Sequence, residues 1–181
     1  MSDRLSLLFD TYEDKLYRLA RRLSPNAEDA HDLVQDTFVR AAASLSSIPA
    51  GGQEYAWLLR VLINLRRDQW RKTSVRARSA ALVAPATHTT PATAESALIA
   101  KRAVWSALDA LAPRRRAIVV MCEIDGMTPD EIAPLLGIAV ITVRWHLSMA
   151  RRELKRALVK YLGDADEDAD GHPSRRRSAA R

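Results

Sequence analysis

The sequence predicts an all-α protein of two small helical domains joined by a flexible linker, the C-terminal one a helix-turn-helix. Three observations carry this. Apolar residues recur at three-and-four spacing up to about residue 76 and again from about 95 to 162, the period of amphipathic helices. Residues 77–94, with "ARSAALVAPATHTTPAT", are Ala, Thr and Pro without a period, a composition that buries too little to offset the entropy of ordering. Residues 1–76 hold nothing that looks like a strand, and 181 residues suffice for two small domains.

The first helix, residues 3–23, places Leu5, Leu8, Phe9, Tyr12, Leu16, Leu19 and Leu23 on one face. Ser24, Pro25 and Asn26 break it and start a second, where Ala30, Leu33, Val34, Thr37, Phe38 and Ala41 continue a buried stripe to about Leu45. "SSIPAGGQ" is a loop, after which Leu58, Val61, Leu62 and Leu65 mark a third helix to about Arg76. Past the linker, Leu98, Trp105, Leu108 and Leu111 build a fourth helix. Pro113 opens a fifth, which closes at Gly126. The tail 163–181, "GDADEDADGHPSRRRSAAR", is an acidic block followed by a basic one, and is expected to lack structure.

Composition narrows the function. With 28 Lys+Arg against 22 Asp+Glu, the chain is basic, which favours phosphate polyanions such as nucleic acid. No apolar run approaches a membrane span, and "MSDRLSLLFD" has an early acid where a signal peptide would be basic. No membrane insertion and a cytoplasmic location are expected. The single Cys122 permits no internal disulfide and reads as a buried, inert thiol. His31, His88, His146 and His172 fall on unrelated segments and no glycine-rich phosphate loop is present. Neither an enzyme, a metal site nor a cofactor is therefore expected.

"MTPDEIAPLLGIAVITVRWHLSMARREL", Met127–Leu154, reads as a helix-turn-helix. Thr128, Pro129 and Glu131 form a capping box with proline at the first helical position. Ile132, Leu135 and Leu136 face inward, Gly137 permits the turn, and Ile138 plugs between the helices. Val143, Leu147, Ala150 and Leu154 then resume the buried stripe. Such spacing also occurs in helical hairpins that bind nothing, so the outward face decides. A merely solvated helix would carry Glu, Lys and Gln. This one turns out Ile141, Thr142, Arg144, Trp145, His146, Ser148 and Met149, an apolar and hydrogen-bonding mixture suited to base edges. Arg151, Arg152, Lys155 and Arg156 follow where such a helix meets phosphate. Ala139 at the N-cap is a weak start.

Two other faces stand out. On the second helix Asp32, Gln35, Asp36 and Arg40 lie opposite the apolar stripe, as a docking strip or a solvated face. On the third, Arg60, Asn64, Arg67, Asp68, Arg71 and Lys72 point outward with Tyr55 and Trp70 beside them. Phosphates want charge and unstacked bases want a flat ring, so this strip suits single-stranded DNA. Trp57 reads as core, and Trp70 is open to either role.

With these residues in place, positions 1–160 resemble the bacterial extracytoplasmic-function (ECF) sigma factors of the sigma-70 family. "DAHDLVQDTFVRAAASL" is similar to the second-region helix that docks on the clamp helices of RNA polymerase. "EYAWLLRVLINLRRDQWRK" is similar to the helix that melts and reads the minus-ten element. "ALDALAPRRRAIVVMCEIDGMTPDEIAPLLGIAVITVRWHLSMARREL" resembles the fourth region, which reads the minus-thirty-five element. The resemblance implies a sigma region 2-like domain at 1–76 and a sigma region 4-like domain at 95–162. It further implies a promoter-specificity function, with core RNA polymerase, promoter DNA and an anti-sigma factor or other regulator as partners. In that frame the loop "LSSIPAGGQEY" and the third helix capture a flipped base of the melted strand. Trp145, His146, Ser148 and Met149 stand where family members often carry Ser or Arg, a departure that bears on the target sequence and not on the fold of the reading helix. Two alternatives keep the helix-turn-helix: a regulator acting on duplex DNA behind a strand-and-helix receiver, and a sigma-like decoy that binds a regulator and should lack the strip from Arg60 to Lys72.

Overall fold

The computed structural model describes residues 3–80 and 96–169, and among them there is no strand. The elements are α1 (Asp3–Leu23), α2 (Ala27–Ala43), a 3-10 turn Leu45–Ser47, α3 (Glu54–Ala80), α4 (Ser96–Asp109), α5 (Pro113–Val119), a π-helical turn Val120–Ile124, α6 (Pro129–Leu136) and α7 (Val140–Ala169). The start of α2 follows from Asn26, whose side-chain oxygen accepts the Asp29 N–H at 2.7 Å. Glu28 and Asp29 add negative charge in its first turn, where the helix dipole is positive.

Two helices outrun their expected ends. α3 continues to Ala80, into the stretch assigned to the linker, and α7 continues to Ala169, into the tail expected to lack structure. Ala77, Arg78 and Ala80 in the first case, and Ala165, Glu167 and Ala169 in the second, are strong helix formers. Extending an existing helix orders only one residue per hydrogen bond gained. Residues 81–94 of the linker and 170–181 of the tail lie outside the described residues.

The turn chemistry of the second half follows the sequence closely. Thr128 Oγ1 accepts the Glu131 N–H at 3.3 Å, and the Glu131 carboxylate accepts the Thr128 N–H at 2.7 Å. These bonds hold the Glu131 carboxyl below the usual carboxylate range. Gly137 has φ 65°, and the Ile138 N–H returns to Ala133 O at 3.1 Å, closing α6 as a left-handed glycine cap. The chain then turns through 108° between α6 and α7, as a helix-turn-helix requires.

The core begins in the first half with Leu16, Leu23, Leu33, Leu58, Leu59 and Leu62, all essentially inaccessible, around a buried Thr37 whose hydroxyl donates to Leu33 O at 2.7 Å. It does not stop there. One apolar cluster continues through Leu111, Ile118, Val120, Met121, Ile132 and Leu136 to Val143 and Ala150, because α3 packs on α5 and α6 and α1 meets α5. At the junction the side chain of Arg116 is buried. Its Nε donates to Arg22 O at 2.7 Å, its Nη1 pairs with Asp109, and its guanidinium lies 5.8 Å from the centre of the Trp105 ring. Arg66 Nε donates to the adjacent carbonyl, Leu23 O, at 2.8 Å, so two guanidiniums cap the negative end of α1. Arg22 also pairs with Asp125, and Arg60 Nη1 reaches Pro134 O at 3.5 Å.

Candidate nucleic-acid interface

On α2 the side chains of Asp32, Gln35, Asp36 and Arg40 are exposed, while Leu33, Val34, Thr37 and Phe38 behind them are buried. Val39, 67% exposed, adds an apolar patch to this strip. Sequence reading passed over it. Its signal was position: it is four residues from Gln35 and three from Asp36, neighbours on a helix surface.

The strip on α3 divides. Asn64, Asp68, Arg71 and Lys72 are exposed, and Trp70 is half-buried. Arg67 leans on Asp68 at 3.5 Å, and its Nε is enclosed without a hydrogen-bond partner. Arg60 is half-buried beneath α6. Tyr55 is not beside Trp70: fifteen residues of helix separate them by roughly 22 Å. Its ring lies 5.8 Å from Tyr12 with Lys15 Nζ 4.0 Å above its centre. Burial, helped by Asp125 and opposed by Arg18, pushes its hydroxyl up to about 12. It lines an open cleft of ≈ 550 Å³ between the halves, with Lys15, Arg18, Met121, Asp125 and Glu131.

The loop before α3 is held from the first turn of α1. Arg4 donates to Leu45 O at 3.2 Å, Ile48 O at 2.8 Å and Pro49 O at 3.2 Å. Ile48 is buried, whereas Ser46, Ser47, Ala50, Gly51, Gly52 and Gln53 are exposed.

On α7, Ile141 is 71% and Trp145 51% exposed, and Arg144 and Ser148 are exposed with them. Thr142 and Met149 are half-buried at the edges of this face. Arg144 lies 3.6 Å from Asp130 of α6. His146 departs from the outward placement expected for it: it is half-buried, with Nδ1 enclosed and unpartnered, and its ring meets the edge of Trp145 at 4.9 Å. Burial first, then Arg114 and Arg115, lower its pKa, so it is neutral at pH 7. Arg115 was not singled out from the sequence, yet its guanidinium sits 5.7 Å from the Trp145 ring centre and pairs with Glu153. The set expected to meet phosphate divides too. Arg151 is bonded by Glu123 at 2.6 and 3.0 Å, which raises its pKa further. Arg152, Lys155 and Arg156 are exposed, and Arg152 Nη2 is 3.3 Å from Met149 Sδ.

Among the described residues no group of three or more His, Cys, Asp or Glu side chains is placed to hold a metal ion. Cys122, expected buried, is half-buried on the π-helical turn. No single helix there is long and apolar enough to cross a membrane.

A helix-turn-helix whose outer face is open to solvent packs here against a helical half that carries a partly covered basic strip. Residues 8–76 match the model for Sigma-70 region 2 and residues 101–154 that for Sigma-70, region 4. The chain is 33% identical over 172 residues to the RNA polymerase sigma-E factor of Streptomyces coelicolor, covering 94% of this chain and 93% of that one. It is 36% identical over 163 residues to the ECF RNA polymerase sigma factor SigE of Mycolicibacterium smegmatis, covering 87% of this chain but spanning 63% of that relative's length. Among solved structures, the sigma factor RpoE from Bartonella quintana, in complex with the anti-sigma factor NepR, matches at 28% identity and a TM-score of 0.55, over 86% of this chain and 94% of that one. The chain belongs to the ECF sigma factors of the sigma-70 family. Members of this family are transcription initiation factors, not enzymes, and the chain is a promoter-specificity subunit. The receiver expected by the duplex-regulator alternative is absent from residues 3–80, which are helices and turns.

Proposed function

We propose that this chain docks on core RNA polymerase through Asp32, Gln35, Asp36, Val39 and Arg40 of α2. The loop before α3, with Asn64, Arg67, Trp70, Arg71 and Lys72, captures and reads the melted minus-ten element. Arg144, Trp145, Ser148 and Met149 of α7 read the minus-thirty-five element, with Thr142 at the edge and Arg152 on phosphate. The observation that carries the reading is the exposure of Ile141 and Trp145 on the face opposite buried Val143, Leu147 and Ala150. That is apolar surface left open to solvent, where a groove-reading helix needs it. Capture of a flipped base trades a few kcal/mol of lost stacking for pocket contacts, with no metal or cofactor involved. Tyr55 and Arg60 face the second half and Arg151 faces Glu123, so these three stand outside the DNA-reading set.

The protein works in the cytoplasm, where polymerase and chromosome meet. A regulator of the anti-sigma kind is a further partner, supported by the Bartonella quintana relative, which was solved bound to one. The test is Asp36→Arg combined with Gln35→Ala, assayed by native mass measurement of the complex with core polymerase. Weakened association with an unchanged fold supports the docking face; unchanged binding moves it elsewhere.

A further inference from the structure

An exposed tryptophan on a helix has two χ1 wells open to it and exchanges between them within nanoseconds if nothing holds it. A ring that moves in this way discriminates poorly between base edges, because binding must first pay the entropy of fixing it. Trp145 is held. The Arg115 guanidinium of α5 stands 5.7 Å from the centre of its ring, and the same guanidinium pairs with Glu153, eight residues further along α7. Arg115 and Glu153 are both half-buried, so water and salt screen their pair less than the exposed Arg144–Asp130 contact at 3.6 Å.

His146 gives a second sign of a fixed ring. Successive residues of a helix point about 100° apart and do not face each other, yet the Trp145 and His146 rings meet edge to face at 4.9 Å and 66°. The indole therefore leans round α7 toward His146, the side of Arg114 and Arg115, instead of standing straight out.

We infer that Arg115 is a positioning residue: with Glu153 holding its guanidinium in place, it fixes the Trp145 indole in one orientation, and that orientation sets which base the helix prefers. The inference rests on the reading role proposed above for Trp145. Three side chains divide the work. Glu153 anchors the cation, the flat guanidinium of Arg115 lies against the ring, and the surface of Trp145 left open meets an apolar base edge, such as the methyl group of thymine. A phosphate contact is the other role open to an arginine near DNA. Against it, the charge of Arg115 is already matched by Glu153, whereas Arg152, Lys155 and Arg156 stand exposed on the following turns of α7.

The test uses holoenzyme on a promoter library, with Arg115→Gln, Trp145→Ser and the two combined. Arg115→Gln should reduce discrimination at the positions that Trp145→Ser alters by roughly two- to fivefold, the strength of one cation–ring contact, with little change in affinity averaged over the library. The double variant should lose no more than Trp145→Ser alone, because Arg115 acts through the ring. Glu153→Gln should behave as Arg115→Gln does, and Arg115→Lys, which keeps the ion pair without the flat face, should recover only part of the preference. Losses that add in the double variant, or a uniform weakening with a flatter salt dependence, would make Arg115 a DNA contact in its own right and overturn the inference. A second readout needs no DNA. In the full chain labelled with 5-fluorotryptophan, the fluorine resonance that Trp145→Phe removes should shift and sharpen in Arg115→Gln, as a released ring requires. A resonance left unmoved means that Arg115 does not hold the ring, and overturns the inference whatever the promoters show. If Trp145→Ser leaves base preference untouched, the reading role of Trp145 is at fault and the claim on specificity falls with it, while the resonance still reports the hold by itself.

Discussion

α7 turns Ile141, Arg144 and Trp145 to solvent, whereas α3 has Arg60 tied to Pro134 and its first turn carries Tyr55 in the cleft between the halves. The two helices are built alike, each with a buried leucine or valine stripe behind a face of mixed chemistry. They differ in what lies in front. The face of α7 stays open although it carries apolar surface, Ile141 and Trp145, into solvent. On α3 the second half covers Tyr55 and Arg60 near the start of the helix, while Trp70 is half-buried and Arg71 and Lys72 stay exposed.

The comparison breaks most strongly if the halves are not one cooperative unit. Leu59→Ala, at a fully buried site on α3, should cost about 3 kcal/mol and lower the melting temperature by about 6–12 °C. A single transition that shifts as a whole in calorimetry supports the shared core; two transitions, with only one moving, separate the halves. Gly137→Val puts a β-branched residue at φ 65° and presses on Arg60. It should cost about 2 kcal/mol, or about 4–8 °C by the same measurement.

On the open face, Trp145→Ser should change base preference at one or two positions of the minus-thirty-five element by roughly 1–2 kcal/mol each, read from holoenzyme on a promoter library. Unaltered preference together with a lower melting temperature would mean that Trp145 packs under Arg115 and reads nothing. The smallest effect is that of pH. His146 has a folded pKa below its usual 6.5, so its contribution to stability is present above about pH 6.5 and is lost as pH falls through the folded value, because the unfolded chain takes the proton first. His146→Gln should flatten the fall of melting temperature between pH 7 and 5; an unchanged slope assigns that fall to other groups.

Local signals carried most of the fold. Asn26, the Thr128–Glu131 box and Gly137 each act through bonds to residues three to five positions away, which a sequence displays directly. Arg116 was harder. In "PRRR" it looks like one solvated charge among three, yet Pro113, Arg116, Ala117 and Val120 follow helical spacing and all four are buried, so its place in the apolar stripe was there to be read. What that spacing could not supply was its partner, the carbonyl of Arg22, 94 residues away. The same distance problem hid the coverage of Arg60, the turning of His146 toward α5, and the pairing of Arg151 with Glu123.

Arg4 holds the loop before α3 only by main-chain carbonyls, those of Leu45, Ile48 and Pro49. A grip on carbonyls is indifferent to which side chains the gripped residues carry. The path of the loop can therefore be inherited unchanged while Ser46, Ser47, Ala50 and Gln53, all exposed, drift freely. Lineages descended from such a chain can change the exposed chemistry of the loop one substitution at a time, without first having to rebuild the path that presents it.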